Sequence, residues 1–180
     1  SASVRAKRIA AMALGAVLPL AVVVLVLLAY GVWGRFWFWT FHYAGAYVTE
    51  RPLSGAPADL MVGFKRVSVA TMQFWALGGL GLPALWIARW EPRAKVFITG
   101  LLASSFLAIC PGFYFREHYF ILLLPAVALL CGAALGSARQ VLERTLPRGV
   151  SGLLAAAVLL AAIGLYVTKE RDYLFSMGMR

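Results

Sequence analysis

The chain has 180 residues, of which 62% are hydrophobic and 13% are charged, and its mean hydropathy is +0.83. A soluble domain of this length could not bury so much apolar surface, so the composition excludes a soluble globular protein and predicts a membrane protein. The formal net charge is +10. Because the basic residues lie between apolar runs, the charge indicates contacts with anionic headgroups, and nucleic acid is not an expected partner.

Five apolar runs are long enough, or nearly so, to cross a hydrocarbon core that needs about 20 helical residues. They cover residues 9–32, 67–88, 96–112, 119–138 and 150–168. Pro19, Pro83 and Pro125 fall inside these runs, where neighbouring helices can satisfy the freed carbonyls, so we expect kinks and no breaks. The sequence therefore predicts an all-α polytopic membrane helix bundle of about five transmembrane helices, forming a single domain over residues 1–180.

The longest connection covers residues 33–66 and begins with a dense aromatic segment. If this segment is helical, Trp39, Tyr43 and Tyr47 lie on one face. The spacing predicts a short interfacial helix. Its aromatic side chains are typical of the belt found in any membrane protein, and a platform for a ligand is the alternative.

A second amphipathic piece covers residues 59–66 and is predicted to lead directly into the second span. We expect its apolar residues Leu60, Met61 and Phe64 to face lipid. Lys65 and Arg66 are expected to reach headgroup phosphates, as membrane anchors.

Small residues indicate where helices approach each other. The predicted contact residues are Gly78, Gly79 and Gly81 in the second span, Gly132 and Gly136 in the fourth, and the alanine-rich fifth span with Gly152 and Gly164. The Gly132 and Gly136 pair has the small-xxx-small spacing that favours close backbones. The two cysteines, Cys110 and Cys131, are predicted at different depths of the membrane and therefore form no disulfide.

Basic residues in the short loops predict the orientation. The N-terminal segment and the segments at 89–95 and 139–148 together contain nine Lys and Arg residues and two acidic residues. The alternate segments, at 33–66, 113–118 and 169–180, contain eight basic and five acidic residues and are longer in total. This bias places the N-terminus in the cytoplasm and the C-terminus outside. The loop of residues 33–66 and the segment around Arg116 then lie on the outer face.

Arg116, Glu117, His118 and Tyr119 form the most polar cluster at the edge of a span. Ionisable residues at a membrane edge are costly unless they are paired or used. Arginine offers a planar fork of donors that suits a phosphate, and His118 can donate a further hydrogen bond. Capping or anchoring of the fourth span is the alternative interpretation. No acidic residue lies in any predicted span, which argues against a proton-coupled transporter.

Three segments resemble those of a known family, and they occur in the family's order. The run from Arg116 to Pro125 resembles the "R-x-H-Y-F, apolar, P" segment of bacterial family 39 glycosyltransferases, which include protein mannosyltransferase-like and aminoarabinose transferase-like enzymes. The aromatic run from Phe36 to Phe41, with Tyr43 and Tyr47, resembles the segment after a late span. The stretch from Glu170 to Phe175 resembles the one that leads from the last span to a soluble part.

The resemblance implies a membrane fold of the C type in the bacterial inner membrane, where a sugar moves from a polyprenyl-phosphate carrier to an acceptor on the outer face. The polyprenyl-phosphate-linked sugar would be the donor, and the metal requirement stays open. Arg116, with His118 and Tyr119, would bind the carrier phosphate. The family's catalytic carboxylate lies in the first outer loop, which nothing here matches, and no motif makes Glu50 or Asp59 the base.

We therefore expect the C-terminal membrane part of such a glycosyltransferase, partnered by membrane lipids and by an N-terminal transmembrane half. No signal-peptide pattern is present. The start at Ser1 and the end at Arg180 favour a piece of a longer protein, which would be inactive alone, and a complete small membrane protein is the alternative. A small transporter or flippase and a non-catalytic membrane scaffold are the alternatives.

Overall fold

The computed structural model describes residues 2–48 and 51–176, and within these ranges the chain is helical and has no β-strand. The chain divides into two compact units, Ser1–Glu50 and Arg51–Arg180. The predicted all-α membrane helix bundle is confirmed.

The first unit contains a long apolar helix and an aromatic helical segment. Helix α1 (Ala2–Ala29) continues through Pro19, and a turn at Gly31 ends it. The aromatic segment consists of α2 (Trp33–Trp37), a π-helical stretch (Phe38–Tyr43) and α3 (Ala44–Val48). Ring centroids of Trp37 and Phe41 are 4.3 Å apart, and those of Trp39 and Tyr43 are 5.1 Å apart. The aromatic segment is thus helical, and these rings four residues apart contact each other in tilted arrangements. The side chain of Tyr47 lies outside the described structure.

The described part of the second unit, residues 51–176, contains six α-helices. They are α4 (Ala56–Ser68), α5 (Met72–Ile87), α6 (Pro92–Ile109), α7 (Leu124–Leu142), α8 (Arg148–Lys169) and the short α9 (Arg171–Phe175). A 3-10 segment (Glu117–Leu123) runs directly into α7. Pro125 occupies the first turn of α7, where a missing N–H costs no helical hydrogen bond.

Four helices among the described residues are long and apolar enough to cross a membrane. They are Ser3–Ala29, Pro92–Ile109, Glu117–Leu142 and Arg148–Lys169. The second predicted span is shorter than expected, because α4 ends at Ser68 and a turn separates it from α5, which is largely apolar and has 16 residues. The Thr71 hydroxyl donates to the Val67 carbonyl at 2.7 Å within this turn. The amphipathic piece therefore does not lead directly into the span.

Helices α5 and α7 form the main helix contact of the second unit. Gly78 lies against Val127, and Gly81 lies against the backbone of Leu130. Both contacts advance in the same chain direction, so the two helices are parallel. Leu85 and Leu130 are buried in this contact.

The small-residue pair predicted on α7 does not make this contact. A Cβ at Gly132 would meet no described neighbour within 4 Å, whereas a Cβ at Gly136 would lie 2.8 Å from the Trp90 ring. The reason is that α7 turns the side that carries Val127 and Leu130 towards α5. Of the predicted glycines in α5, Gly79 likewise faces open space.

Polar side chains in the protein interior form hydrogen bonds. The indole N–H of Trp90 donates to the Ser137 hydroxyl at 2.9 Å, and that hydroxyl donates to the Ala84 carbonyl at 3.2 Å. The thiols of Cys110 and Cys131 are both free, and Cys131 is buried with its Sγ 3.2 Å from the Phe74 carbonyl oxygen. Cys131 therefore acts as a packing residue.

Candidate functional site

Helix α4 has a polar face, whose residues follow each other at intervals of about one helical turn. Asp59, Gly63 and Arg66 are four and three residues apart, so they share one side of the helix. Pro57 in the first turn of α4 fits its start, because proline needs no N–H partner there. This face of α4 forms one wall of a polar cleft.

The opposite wall is the loop that joins α6 to the 3-10 segment. Its backbone has positive φ at Gly112 (74°), Phe113 (51°) and Phe115 (43°). Such values are uncommon for residues with a Cβ and cost free energy, so the surrounding structure must hold them in place. Phe115 is buried in the core with Ile109 and Phe120, which provides that restraint.

Gly63 allows the two walls to meet. A Cβ at this position would collide with the Phe115 carbonyl oxygen and approach the Phe120 ring to 3.2 Å. The absence of a side chain therefore fixes how closely α4 approaches the loop and so sets the width of the cleft.

Three arginines line this cleft, which has a volume of about 290 Å³ and which we call the arginine cleft. Its walls are Arg51, Asp59, Val62, Gly63, Arg66, Tyr114, Phe115, Arg116 and Glu117. Arg51 pairs with Asp59 at 2.7 Å, and Arg66 pairs with Glu117 at 3.4 Å. The described wall residues therefore carry three guanidinium groups and two carboxylates.

The Tyr114 ring contacts two of the three arginines. The guanidinium carbons of Arg51 and Arg116 lie 4.9 and 5.3 Å from its centroid. Such cation–π contacts help to hold a guanidinium in place. Tyr114 thus brings together the guanidinium groups of Arg51 and Arg116, which are far apart in the sequence.

Only two of the four residues in the polar cluster predicted at positions 116–119 line the arginine cleft. Arg116 and Glu117 line the arginine cleft, whereas His118 and Tyr119 are not among its wall residues. The Tyr119 N–H donates to the Arg116 carbonyl at 2.9 Å, which fixes the start of the 3-10 segment. His118 is exposed, and its ring lies 4.6 Å from that of Tyr119 in an edge-to-face arrangement.

The other side of α4 borders an apolar groove of about 390 Å³. Helices α4, α5, α6 and the start of the Glu117–Leu142 helix enclose it with the side chains of Leu60, Met61, Phe64, Trp75, Leu102, Phe106, Phe120 and Leu123, among others. The prediction that Leu60, Met61 and Phe64 face lipid is wrong for two of them. Leu60 and Phe64 are half-buried against the core, with the Phe64 and Trp75 rings 5.1 Å apart, whereas Met61 is 66% exposed.

Residues that could hold a metal do not gather in the described part of the chain. Within residues 2–48 and 51–176, no group of three or more His, Cys, Asp or Glu side chains has a geometry that could hold a metal ion. Of the two acidic candidates from the sequence, Asp59 pairs with Arg51, and Glu50 lies outside the described residues.

Sequence reasoning named Arg66 only as an anchor and gave Arg51 and Tyr114 no role. The spacing of Asp59 and Arg66 on an amphipathic helix, with a glycine between them, was a usable signal for a polar face that packs closely. No local pattern indicates that Arg51 meets a loop more than sixty residues later.

Comparison with models of protein families, with curated proteins and with solved structures finds no match to this chain.

Proposed function

We propose that the arginine cleft binds the phosphate of a polyprenyl-phosphate carrier. The chain would act as the C-terminal membrane portion of a glycosyltransferase that moves a sugar from this carrier to an acceptor. The proposed location is the outer face of a bacterial inner membrane.

The observation that carries this proposal is the convergence of Arg51, Arg66 and Arg116 on one cleft. An arginine binds phosphate oxygens through two parallel N–H donors, which gives both affinity and orientation. A phosphate that enters the cleft would meet the N–H donors of arginines from three positions in the chain, brought together by α4 and the loop at residues 112–115.

The neighbouring apolar groove supports a carrier with a long hydrocarbon tail. Asp59 and Arg66 line the cleft, whereas Leu60 and Phe64 on the adjacent side of α4 line the groove. A polar site beside an apolar one suits an amphiphile, whose phosphate and tail need different surroundings. The groove would receive the isoprenoid units nearest the phosphate.

In sugar transfer, negative charge develops on the leaving phosphate. Donors that are already in place stabilise such charge without reorganisation, and this is commonly the largest catalytic contribution. Arg116 would hold the phosphate, with Arg51 and Arg66 adding positive potential. The base that activates the acceptor is expected in the N-terminal transmembrane half, so this chain alone would bind the carrier and transfer nothing.

The test is Arg116→Ala in the full-length enzyme, with Arg171→Ala as a matched loss of an exposed arginine in α9. We expect Arg116→Ala to lower sugar transfer by about a hundredfold or more, because it removes a donor to the leaving group. The Arg116→Ala variant should insert into the membrane normally, and the Arg171→Ala variant should keep normal sugar transfer. Normal transfer by Arg116→Ala would refute the phosphate role, and coupled uptake into vesicles without sugar transfer would assign the chain to transport.

A further inference from the structure

A second cleft lies at the other end of the α5 and α7 pair. Its walls come from α5, α7 and α8 and the residues that follow α5 and α7, and its volume is about 1130 Å³. Ligand pockets usually measure about 300–1,000 Å³, so this cleft is large enough for a molecule of lipid size. We call it the α8 cleft.

The α8 cleft exists because α8 touches the bundle at two separated points. Ser151 and Ala162 are the buried residues of α8. Near Ala162, the Gln73 amide donates to the Ala162 carbonyl at 3.1 Å, and the Tyr166 ring lies 6.4 Å from that of Phe74. The two points are eleven residues apart, which is about 17 Å of helix, and between them α8 stands away from α5 and α7.

The inner walls of the α8 cleft are apolar and carry small side chains. Leu77, Leu80 and Ala84 of α5 face Ala134, Leu135 and Ala138 of α7, with Val158 of α8 on the third side. Among the described residues that line this part, the one polar side chain is Ser137, whose hydroxyl is hydrogen-bonded to Trp90 and Ala84. Such a surface suits a hydrocarbon chain.

One end of the α8 cleft is charged. Arg89 and Arg144 line it there, each two residues after the end of its helix, together with Gln140 and Glu143. The Glu143 carboxylate accepts a hydrogen bond from Arg139 at 2.7 Å, so its charge is already balanced. Arg89 and Arg144 form no ion pair with a carboxylate of the described residues.

We propose that the α8 cleft binds an anionic diacyl phospholipid of the bilayer, with its phosphate on Arg89 and Arg144 and an acyl chain between α5, α7 and α8. The charge of the rim complements an anionic headgroup, and the apolar walls complement the chain. Basic pockets between membrane helices recognise headgroups in this way. A bound lipid would fill the gap and hold α8 against the bundle.

The first test measures lipid binding to the full-length protein in detergent by native mass spectrometry, with equal amounts of phosphatidylglycerol and phosphatidylcholine. We expect preferential binding of phosphatidylglycerol. The double variant Arg89→Gln with Arg144→Gln should weaken that binding by roughly thirtyfold, since each arginine near an anionic headgroup contributes about a factor of five. The control is Arg93→Gln with Arg148→Gln, which removes the same charge outside the cleft and should keep the preference.

The second test fills the cleft without changing its charge. Ala134→Trp places an indole between the walls and should reduce phosphatidylglycerol binding at least tenfold. Ala128→Trp, on an exposed part of the same helix, should not. Equal binding of both lipids to the unmodified protein, or equal losses in cleft and control variants, would overturn the proposal.

Competition separates this lipid from the carrier. Polyprenyl phosphate that displaces phosphatidylglycerol one for one, in a manner that needs Arg89 and Arg144, would assign the cleft to the carrier and overturn the proposal. Retention of phosphatidylglycerol by the Arg116→Ala variant would support two independent sites.

Discussion

The balance of charges in the arginine cleft determines what it can attract. Glu117 is the exposed partner of Arg66, at 3.4 Å, and an exposed pair of this kind contributes about 0–1 kcal/mol. The pair is therefore weak enough for a ligand phosphate to compete with Glu117 for Arg66. Its carboxylate also lowers the positive potential felt by any anion in the cleft.

The first prediction concerns Glu117→Gln, which keeps the shape of the side chain and removes its charge. Binding of a short isoprenyl phosphate to the purified protein should strengthen about twofold to fivefold, because one negative charge is removed from the cleft while screening by solvent limits the gain. Isothermal titration at low salt measures it. Glu91→Gln removes an exposed acid that pairs with Arg93 at 3.9 Å outside the cleft, and it should leave the affinity unchanged. Weaker binding by Glu117→Gln would contradict an anion site.

Single residues could be singled out from the sequence where local chemistry is unusual. Arg116 stood out because charge at the edge of an apolar span is costly, and it does line the arginine cleft. Arg51 and Tyr114 did not stand out, because their contact depends on the positive-φ loop at residues 112–115 and on its approach to α4. That approach depends on tertiary packing, and no sequence pattern near Arg51 or Tyr114 predicts it.

At the scale of elements, the parallel contact of α5 with α7 supports both clefts. The arginine cleft lies near the N-terminal ends of α5 and the Glu117–Leu142 helix, and the charged rim of the α8 cleft follows their C-terminal ends. Sixteen residues of α5 span about 24 Å, so the two charged regions are well separated. The tight contact at Gly81 keeps them in a fixed relation.

The second prediction tests this contact with Gly81→Ala. The added Cβ would collide with the Leu130 backbone, which cannot move independently of α7. Overpacking of this kind costs about 1–3 kcal/mol, more than the roughly 1 kcal/mol that alanine gains over glycine within a helix. The melting temperature of the detergent-solubilised protein should fall.

Gly79→Ala is the matched control, because Gly79 lies in the same helix and faces open space. Its melting temperature should stay the same or rise slightly. Equal changes in the two variants would show that the close approach at Gly81 does not determine the stability of the pair.

The existence of the helices could be predicted from apolar runs, whereas the break between α4 and α5 and the contact face of α7 could not. Residues 67–70 are mostly apolar and continue the hydrophobic run, so nothing in the pattern separates α4 from α5. Hydrogen bonding by the Thr71 side chain to Val67 occurs within the turn between them. On α7, the small-xxx-small spacing indicated the wrong face, because close packing needs a glycine on one helix only, and α5 supplies it.

At the scale of the whole molecule, the α5 and α7 geometry agrees with an alternating topology. Two parallel helices separated by one helix in the chain require α6 to return in the opposite direction. We therefore expect the ends that carry Arg66 and Arg116 to share one side of the membrane, and the ends that carry Arg89 and Arg144 to share the other. Which side is outside was predicted from loop charges alone, and the geometry is compatible with either choice.

The last prediction decides the orientation by cysteine labelling in cells. With Cys110→Ala as background and the buried Cys131 left in place, Ser54→Cys should react with a membrane-impermeant maleimide in intact cells. Thr145→Cys should react only after permeabilisation. Both positions are exposed, so access through the membrane, and not burial, determines the labelling. The reverse pattern would place the arginine cleft in the cytoplasm, where an acceptor on the outer face could not reach it, and would refute both the predicted topology and the transferase proposal that depends on it.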